Sequence, residues 1–478
     1  RNNLPTTISK RALREIYLKS FEYVIRESQP WAVMTAYNQI NGVSTAQDYA
    51  LITKILRDEW GFEGFVMTDW GGQGNASYWP AQAGNNAYSS LVKAGNDVCE
   101  PRGNANNVMA GLQAGFITEE DIDACVRRIL EYIIKTPSFK GQPLSTEPNP
   151  YADENEAIAF NVSVESMVLL KNNTVGGKPA LPITSGNIAT IGNATSSLVL
   201  GGTGSGSVNA DSSRFVQIVP ALRSIYKGGE IIDATTLGYA QVSNEMQPTE
   251  AQMIDLVNQV GSVVLTIKRT SGEGSDVGKT KGAYYLTDAE QNLIDVASRV
   301  CRQAGKPLIV VLNMGTFVEM ESWKDKADAI LLVWEPGIVV GKPIAAVLTG
   351  AANPSGKLST TIPIDVQGYY NDDPTKPYAP AQDNFGTSSG VIYNEDIYVG
   401  YRYYDAFNVP VSYEFGYGIN YSTFEYSNLQ LNSTTFDDVD STIDISVDIK
   451  NISQVPGKEV VQFYVGAPGI SMPKPVKE

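Results

Sequence analysis

The sequence predicts an α/β chain of more than one domain. Three observations carry this. Short apolar runs alternate with helical periods from about residue 9 to 135, the alternation recurs from about 155 to 365, and a stretch of period 2 stands near the end. A chain of 478 residues also exceeds what one hydrophobic core organises.

The elements follow in order. Ser9 caps a stretch with apolar residues at Leu13, Ile16, Tyr17, Phe21 and Val24, a helical spacing. Ala32 to Ala36 is a short apolar run, Leu51 to Trp60 is helical again, and Gly64 to Thr68 has the composition of a buried strand, so residues 1–138 read as βα repeats. Pro, Ser and Asn then mark residues 139–155 as a linker. Within 156–385, strand-like runs at Ile188 to Ile191, Val263 to Ile267, Leu308 to Leu312 and Ala329 to Val333 are separated by helical stretches such as Asp288 to Ala304. They predict an α/β sandwich on a mostly parallel sheet. Residues 386–420 form a connecting segment. In 421–478, Ile443, Ile445, Val447 and Ile449 alternate with polar residues and Val460 to Val465 predicts another strand, the start of a β-sandwich.

Composition narrows the chemistry. A net charge of −16 disfavours nucleic acid and anionic membrane as partners, and no apolar run is long enough to span a bilayer. Cys99, Cys125 and Cys301 lie far apart, which suggests neither a disulfide framework nor a zinc site. They lean towards a cytoplasmic setting, with secretion or a periplasm left open. The chain has no histidine, which excludes Ser-His-Asp triads, Cys-His pairs and HExxH sites within it. Carboxylates, lysines, tyrosines or hydroxyls must do any chemistry.

Two carboxylates stand out. Asp69 ends the Gly64 to Thr68 run and is followed by Trp70, Gly71 and Gly72. At the C-terminal end of a barrel strand a carboxylate beside an indole suits a sugar, which stacks its apolar face on the ring. A cap for the following turn is the competing role. Glu273 lies between Gly272 and Gly274 just beyond a strand, in a loop that can present a carboxyl group to a cleft, although a solvated surface glutamate fits the residue type as well. The glycine-serine run at 201–207 lacks the Gly-Lys-Ser/Thr ending of a P-loop and fits a dinucleotide fingerprint poorly.

These residues together resemble glycoside hydrolase family 3, β-glucosidase-like. Trp60 to Trp70 (WGFEGFVMTDW) resembles the family's nucleophile signature. SKRALREIYL at 9–18, VMTAYNQING at 33–42, the 201–207 loop, Ser271 to Gly274, NPSGKL at 353–358 and YNEDIYVGYRYYD at 393–405 occur in the family's order. The resemblance implies part of a (β/α) barrel in 1–138, an α/β sandwich domain, and the start of a fibronectin type III-like domain in 421–478. It also implies that the barrel's N-terminal half and the end of the last domain are missing, so that the chain by itself turns over poorly.

The resemblance implies Asp69 as nucleophile, Glu273 as acid/base, and Arg1, Met34, Tyr37, Trp70 and Ser205 as sugar contacts, with no metal or cofactor. The implied activity is that of a retaining exo-β-glycosidase acting on terminal β-D-glucosyl residues of β-glucosides or short β-linked oligosaccharides. A β-xylosidase and a non-catalytic carbohydrate-binding fragment are the alternatives. Oligomeric state is left open.

Overall fold

The computed structural model describes residues 4–143, 149–208, 212–275, 277–366, 390–435, 441–467, 469 and 471–478. Arg1 lies outside the described residues. By their contacts the described residues fall into two compact units. The first lies within Arg1–Pro148, Gln367–Val409 and Val465–Glu478, and the second within Asn149–Val366 and Pro410–Tyr464. No helix among the described residues is long and apolar enough to cross a membrane.

In the first unit β1 (Pro5–Thr7) pairs in parallel with β2 (Gln39–Ile40) and with the short strand Val391–Ile392. A separate parallel pair joins Ala32–Met34 to Phe65–Met67 in the register Ala32 to Phe65, Val33 to Val66 and Met34 to Met67, and Met67 makes a further parallel bridge to Val98. No closed barrel forms among the described residues.

The Ser9 cap is present, its hydroxyl accepting from the Ala12 N–H, but the helix it starts is broken. Leu13–Tyr17 winds as a π-helix, Lys19–Ser28 resumes the α form, and Phe21 and Val24 stay about half exposed. Ala50–Glu59 is also π-wound, closing on Trp60 N–H to Ile55 O, where the sequence predicts an α-helix. The core here is small: Ile25, Ile52, Leu56, Trp60, Phe62, Val66 and Ala94.

The second unit is a six-stranded sheet. Its strands are β3 (Val168–Asn172), β4 (Ile188–Ile191), β5 (Ile231–Asp233), β6 (Ser262–Arg269), β7 (Leu308–Met314) and β8 (Ala329–Leu332). Their order across the sheet is β5-β4-β6-β7-β8-β3, parallel except for β3.

Alternation along the strands sends side chains to two cores. Val263, Leu265 and Ile267 join Val310 and Leu312 on one face with Leu293 and Ala297 of the helix Asp288–Ala304. Val264, Ile309 and Val311 join Leu222 and Ile344 on the other. Both faces are covered, which is why these strands read as unbroken apolar runs.

Phe424–Leu431 and Ile445–Asn451 form one antiparallel ribbon. The predicted strand at Val460 to Val465 is not formed: the segment is irregular. Val465 exchanges backbone hydrogen bonds with Glu478 (2.7 and 3.0 Å) but no ladder continues from it, and Val460, Phe463 and Val465 are about half exposed or more.

Candidate active site

Asp69 stands two residues past the parallel strand Phe65–Met67. The backbone around it is fully engaged. Thr68 N–H donates to Val98 O (2.9 Å), Asp69 N–H to Thr35 O (3.2 Å), Gly71 N–H to Glu100 O (2.8 Å) and Gly72 N–H to Asp69 O (2.8 Å). Thr68 Oγ1 accepts from Glu100 N–H (2.9 Å). Asp69 Oδ1 takes the Trp70 N–H at 2.5 Å, a local cap that leaves the second oxygen without a hydrogen bond among the described residues. Half of the capping role is therefore real, and it coexists with a presented carboxylate.

The neighbours that the sequence singles out gather at this strand end. Trp70 is 68% exposed and its carbonyl accepts from Tyr37 Oη (2.7 Å), while Met34, also exposed, pairs in register with Met67. The strand itself is anchored from behind by a residue sequence reasoning missed. Asp97, with no exposed side-chain surface, accepts from Val66 N–H (2.7 Å) and Arg57 Nη2 (2.9 Å) through Oδ2, and from Arg128 through Oδ1. Burial holds the Arg57 guanidinium below its ordinary pKa, with the charge of Asp97 opposing. An aspartate among Gly, Asn and Val looks like a turn residue in sequence, so no local signal marks this role.

Glu273 belongs to the second unit, on the loop after β6. The order of strands explains the position. From β4 the chain runs outward to β5 at the sheet edge, then crosses back to β6 on the other side of β4, so the loops leaving β4 and β6 diverge at a topological switch point. Those loops carry the glycine-serine run and Glu273.

The two loops are stitched together. Thr203 N–H donates to Ser271 O (3.1 Å), Glu273 N–H to Thr203 O (3.2 Å) and Thr203 Oγ1 to Glu273 O (2.9 Å). Ser205 then donates twice to Glu273 Oε2, from its N–H (2.9 Å) and its Oγ (2.5 Å). Gly272 is required there: its φ is +147°, and a Cβ would sit 2.1 Å from Thr203 N. The glycine-serine run is thus a cradle for a carboxylate of the same chain.

Glu335 lies against the same loops and was also missed, since Trp-Glu-Pro-Gly reads as a turn. Burial raises its pKa, opposed by a hydrogen bond from the Ser271 N–H. No group of three or more carboxylates or thiols is placed to hold a metal ion among the described residues.

Residues 167–421 match the glycosyl hydrolase family 3 C-terminal domain, and residues 2–132 match the glycosyl hydrolase family 3 N terminal domain. The chain belongs to glycosyl hydrolase family 3.

Named glycosidases are similar to it over nearly its whole length. The thermostable beta-glucosidase B of Acetivibrio thermocellus is 30% identical over 486 residues, covering 100% of this chain and 59% of its own length. An exo-alpha-(1->6)-L-arabinopyranosidase of Bifidobacterium longum is 29% identical over 481 residues, covering 98% and 58%. Among solved structures, beta-glucosidase 3B from Thermotoga neapolitana in complex with alpha-D-glucose superposes with a TM-score of 0.83 at 36% identity, covering 99% of this chain and 66% of that one. The chain thus spans about three fifths of the length of these curated relatives. Its two-unit α/β architecture is that of the family 3 structures it superposes on.

Proposed function

We propose that the protein is a retaining exo-β-glycosidase that removes terminal non-reducing β-D-glucosyl residues by double displacement. One observation carries the reading: each family 3 domain presents a carboxylate just past the C-terminal end of a parallel strand, Asp69 beside an exposed indole and Glu273 cradled by Ser205. Domain roles follow the same proposal, with residues 1–138 part of a (β/α) barrel, 156–385 the α/β sandwich domain and 421–478 the start of a fibronectin type III-like domain.

In the first step the Asp69 carboxylate attacks the anomeric carbon while the Glu273 carboxyl proton passes to the glycosidic oxygen. The C–O bond breaks and the aglycone leaves as an alcohol. In the second, Glu273 as carboxylate takes a proton from water, whose oxygen attacks the anomeric carbon and breaks the ester to Asp69. Two inversions return the starting configuration. Trp70, Met34 and Tyr37 form the wall of the first sugar subsite, with Arg1 and Ser205 as further contacts.

The test is hydrolysis of p-nitrophenyl β-D-glucoside, β-D-xyloside and α-L-arabinopyranoside by the protein, beside Asp69→Ala and Glu273→Ala. Preferred glucoside turnover, abolished in Asp69→Ala and rescued by azide in Glu273→Ala, supports the proposal. Preference for the xyloside or arabinoside reassigns the sugar. Binding of glucose with no turnover of any of the three indicates a carbohydrate-binding protein.

A further inference from the structure

Beneath the loop that carries Glu273 lies a carboxyl group the mechanism does not use. Glu335 follows β8. Its Oε2 and the Ser271 hydroxyl both crowd Gly315, where a Cβ would lie 2.9 Å from Oε2 and 2.8 Å from Ser271 Oγ. A Cβ on Gly202, in the partner loop, would lie 3.7 Å from the same Oε2 and 3.2 Å from Ser271 O. Glu335 Oε1 is buried with no hydrogen-bond partner among the described residues.

Such a group is costly to retain, because a buried carboxyl oxygen without a partner loses its hydration for nothing in return. The backbone around it is costly too. Trp334 has φ +53° and Val340 has φ +37°, left-handed values that an aromatic and a β-branched residue rarely adopt. The surroundings impose them. Asn313, fully buried, donates to Trp334 O (2.7 Å) and to Val199 O (3.0 Å) and accepts from Val199 N–H (2.6 Å), while Trp334 Nε1 donates to Ser166 O (2.9 Å). Strain, buried amide and glycine clearance converge on holding one carboxyl group against Ser271, two residues before Glu273.

We propose that Glu335 is a positioning residue: by packing beside Ser271 against Gly315 and Gly202 it sets the height and angle at which the loop presents Glu273. This rests on Glu273 being the acid/base, and it predicts a defect that tracks how much acid assistance the leaving group needs. Loss of this support misplaces the acid without removing it, and small misplacements of a catalytic group are worth up to ~100-fold.

The experiment measures kcat/KM, which reports the glycosylation step, on 2,4-dinitrophenyl β-glucoside and on an alkyl β-glucoside. The proteins are wild type, Glu335→Ala, Glu335→Gln and Glu273→Gln. Glu335→Ala is expected to lose ~10- to 100-fold on the alkyl glucoside and less than ~3-fold on the dinitrophenyl glucoside, whose leaving group departs without a proton. Glu335→Gln keeps the same shape beside Ser271 and is expected to recover most of the loss.

Equal losses on the two substrates, no loss on either, or a Gln variant as impaired as Ala would overturn the proposal while Glu273→Gln still shows the split. Absence of the split in Glu273→Gln itself would remove the acid/base assignment and the proposal with it. Should Glu335→Ala fail to fold, Glu335→Asp, which withdraws the carboxyl group by one methylene, carries the same comparison.

Discussion

The two presented carboxylates are held in opposite ways. Asp69 sits on backbone: four main-chain hydrogen bonds fix the residues around it, and its own side chain makes one local bond. Glu273 sits on a loop with little regular structure, and it is the side chain itself that is gripped, by Ser205 twice. The foundations differ in the same sense. The first unit rests its strand on a small core and on the buried Asp97 with its two arginines, whereas the second hangs its loops on a sheet packed on both faces. In the double displacement proposed above, a nucleophile that must approach one carbon benefits from a rigid strand end, and an acid that must first give and then take a proton is served by a gripped side chain.

Substitutions can break this contrast. The largest effect is expected at Asp69: Asp69→Ala should lower kcat/KM by ~10³- to 10⁶-fold while leaving the melting temperature within a few degrees, since the side chain carries almost none of the local structure. Glu273→Ala should cost ~10²- to 10⁴-fold on poor leaving groups and, unlike Asp69→Ala, be partly restored by azide. A melting shift in the first variant larger than in the second would reverse the assignment of rigid and gripped sites.

Asp97→Ala probes the foundation rather than the site. Leaving Arg57 buried beside an unpaired Val66 N–H should destabilise the first unit by about 3–5 kcal/mol, read by denaturant unfolding. Unfolding that leaves the second unit's transition in place would sharpen the comparison, and a change below about 1 kcal/mol would show that the strand needs no such anchor.

Gly272→Ala should drive its Cβ into Thr203 N and unstitch the two loops, at a local cost of about 1–3 kcal/mol and a larger fractional loss of turnover than of global stability. The smallest effect is expected at Ser205→Ala, which removes one of the two donors that Ser205 supplies to Glu273 and keeps the backbone N–H. A loss of about 0.5–2 kcal/mol in transition-state stabilisation, seen in kcat with KM little changed, is the expected result. An unchanged kcat would mean that Glu273 is held without the Ser205 hydroxyl.

How much of this was legible in the sequence varies by element. Ile188–Ile191 and Asp288–Ala304 were readable to the residue, because an apolar run buried on both faces and a capped helix with a 3.6 period are local patterns. Gly64 to Thr68 was readable as a strand for the same reason, and with it the position of Asp69. The Val460 to Val465 run carried the same local pattern and formed no strand, since pairing depends on a neighbour that the run does not encode.

The sequence by itself therefore determined the α/β layers, the family motifs and the positions of Asp69 and Glu273 along the chain. Only the tertiary structure decided what surrounds them. The glycine-serine run became a cradle for Glu273, Asp97 an anchor and Glu335 a prop because chain crossings bring together residues about 70, 31 and 64 positions apart. The physical reason is range: helical period, strand alternation and capping act within a few residues, whereas the hydrogen bonds that orient a carboxylate depend on where distant loops leave the sheet.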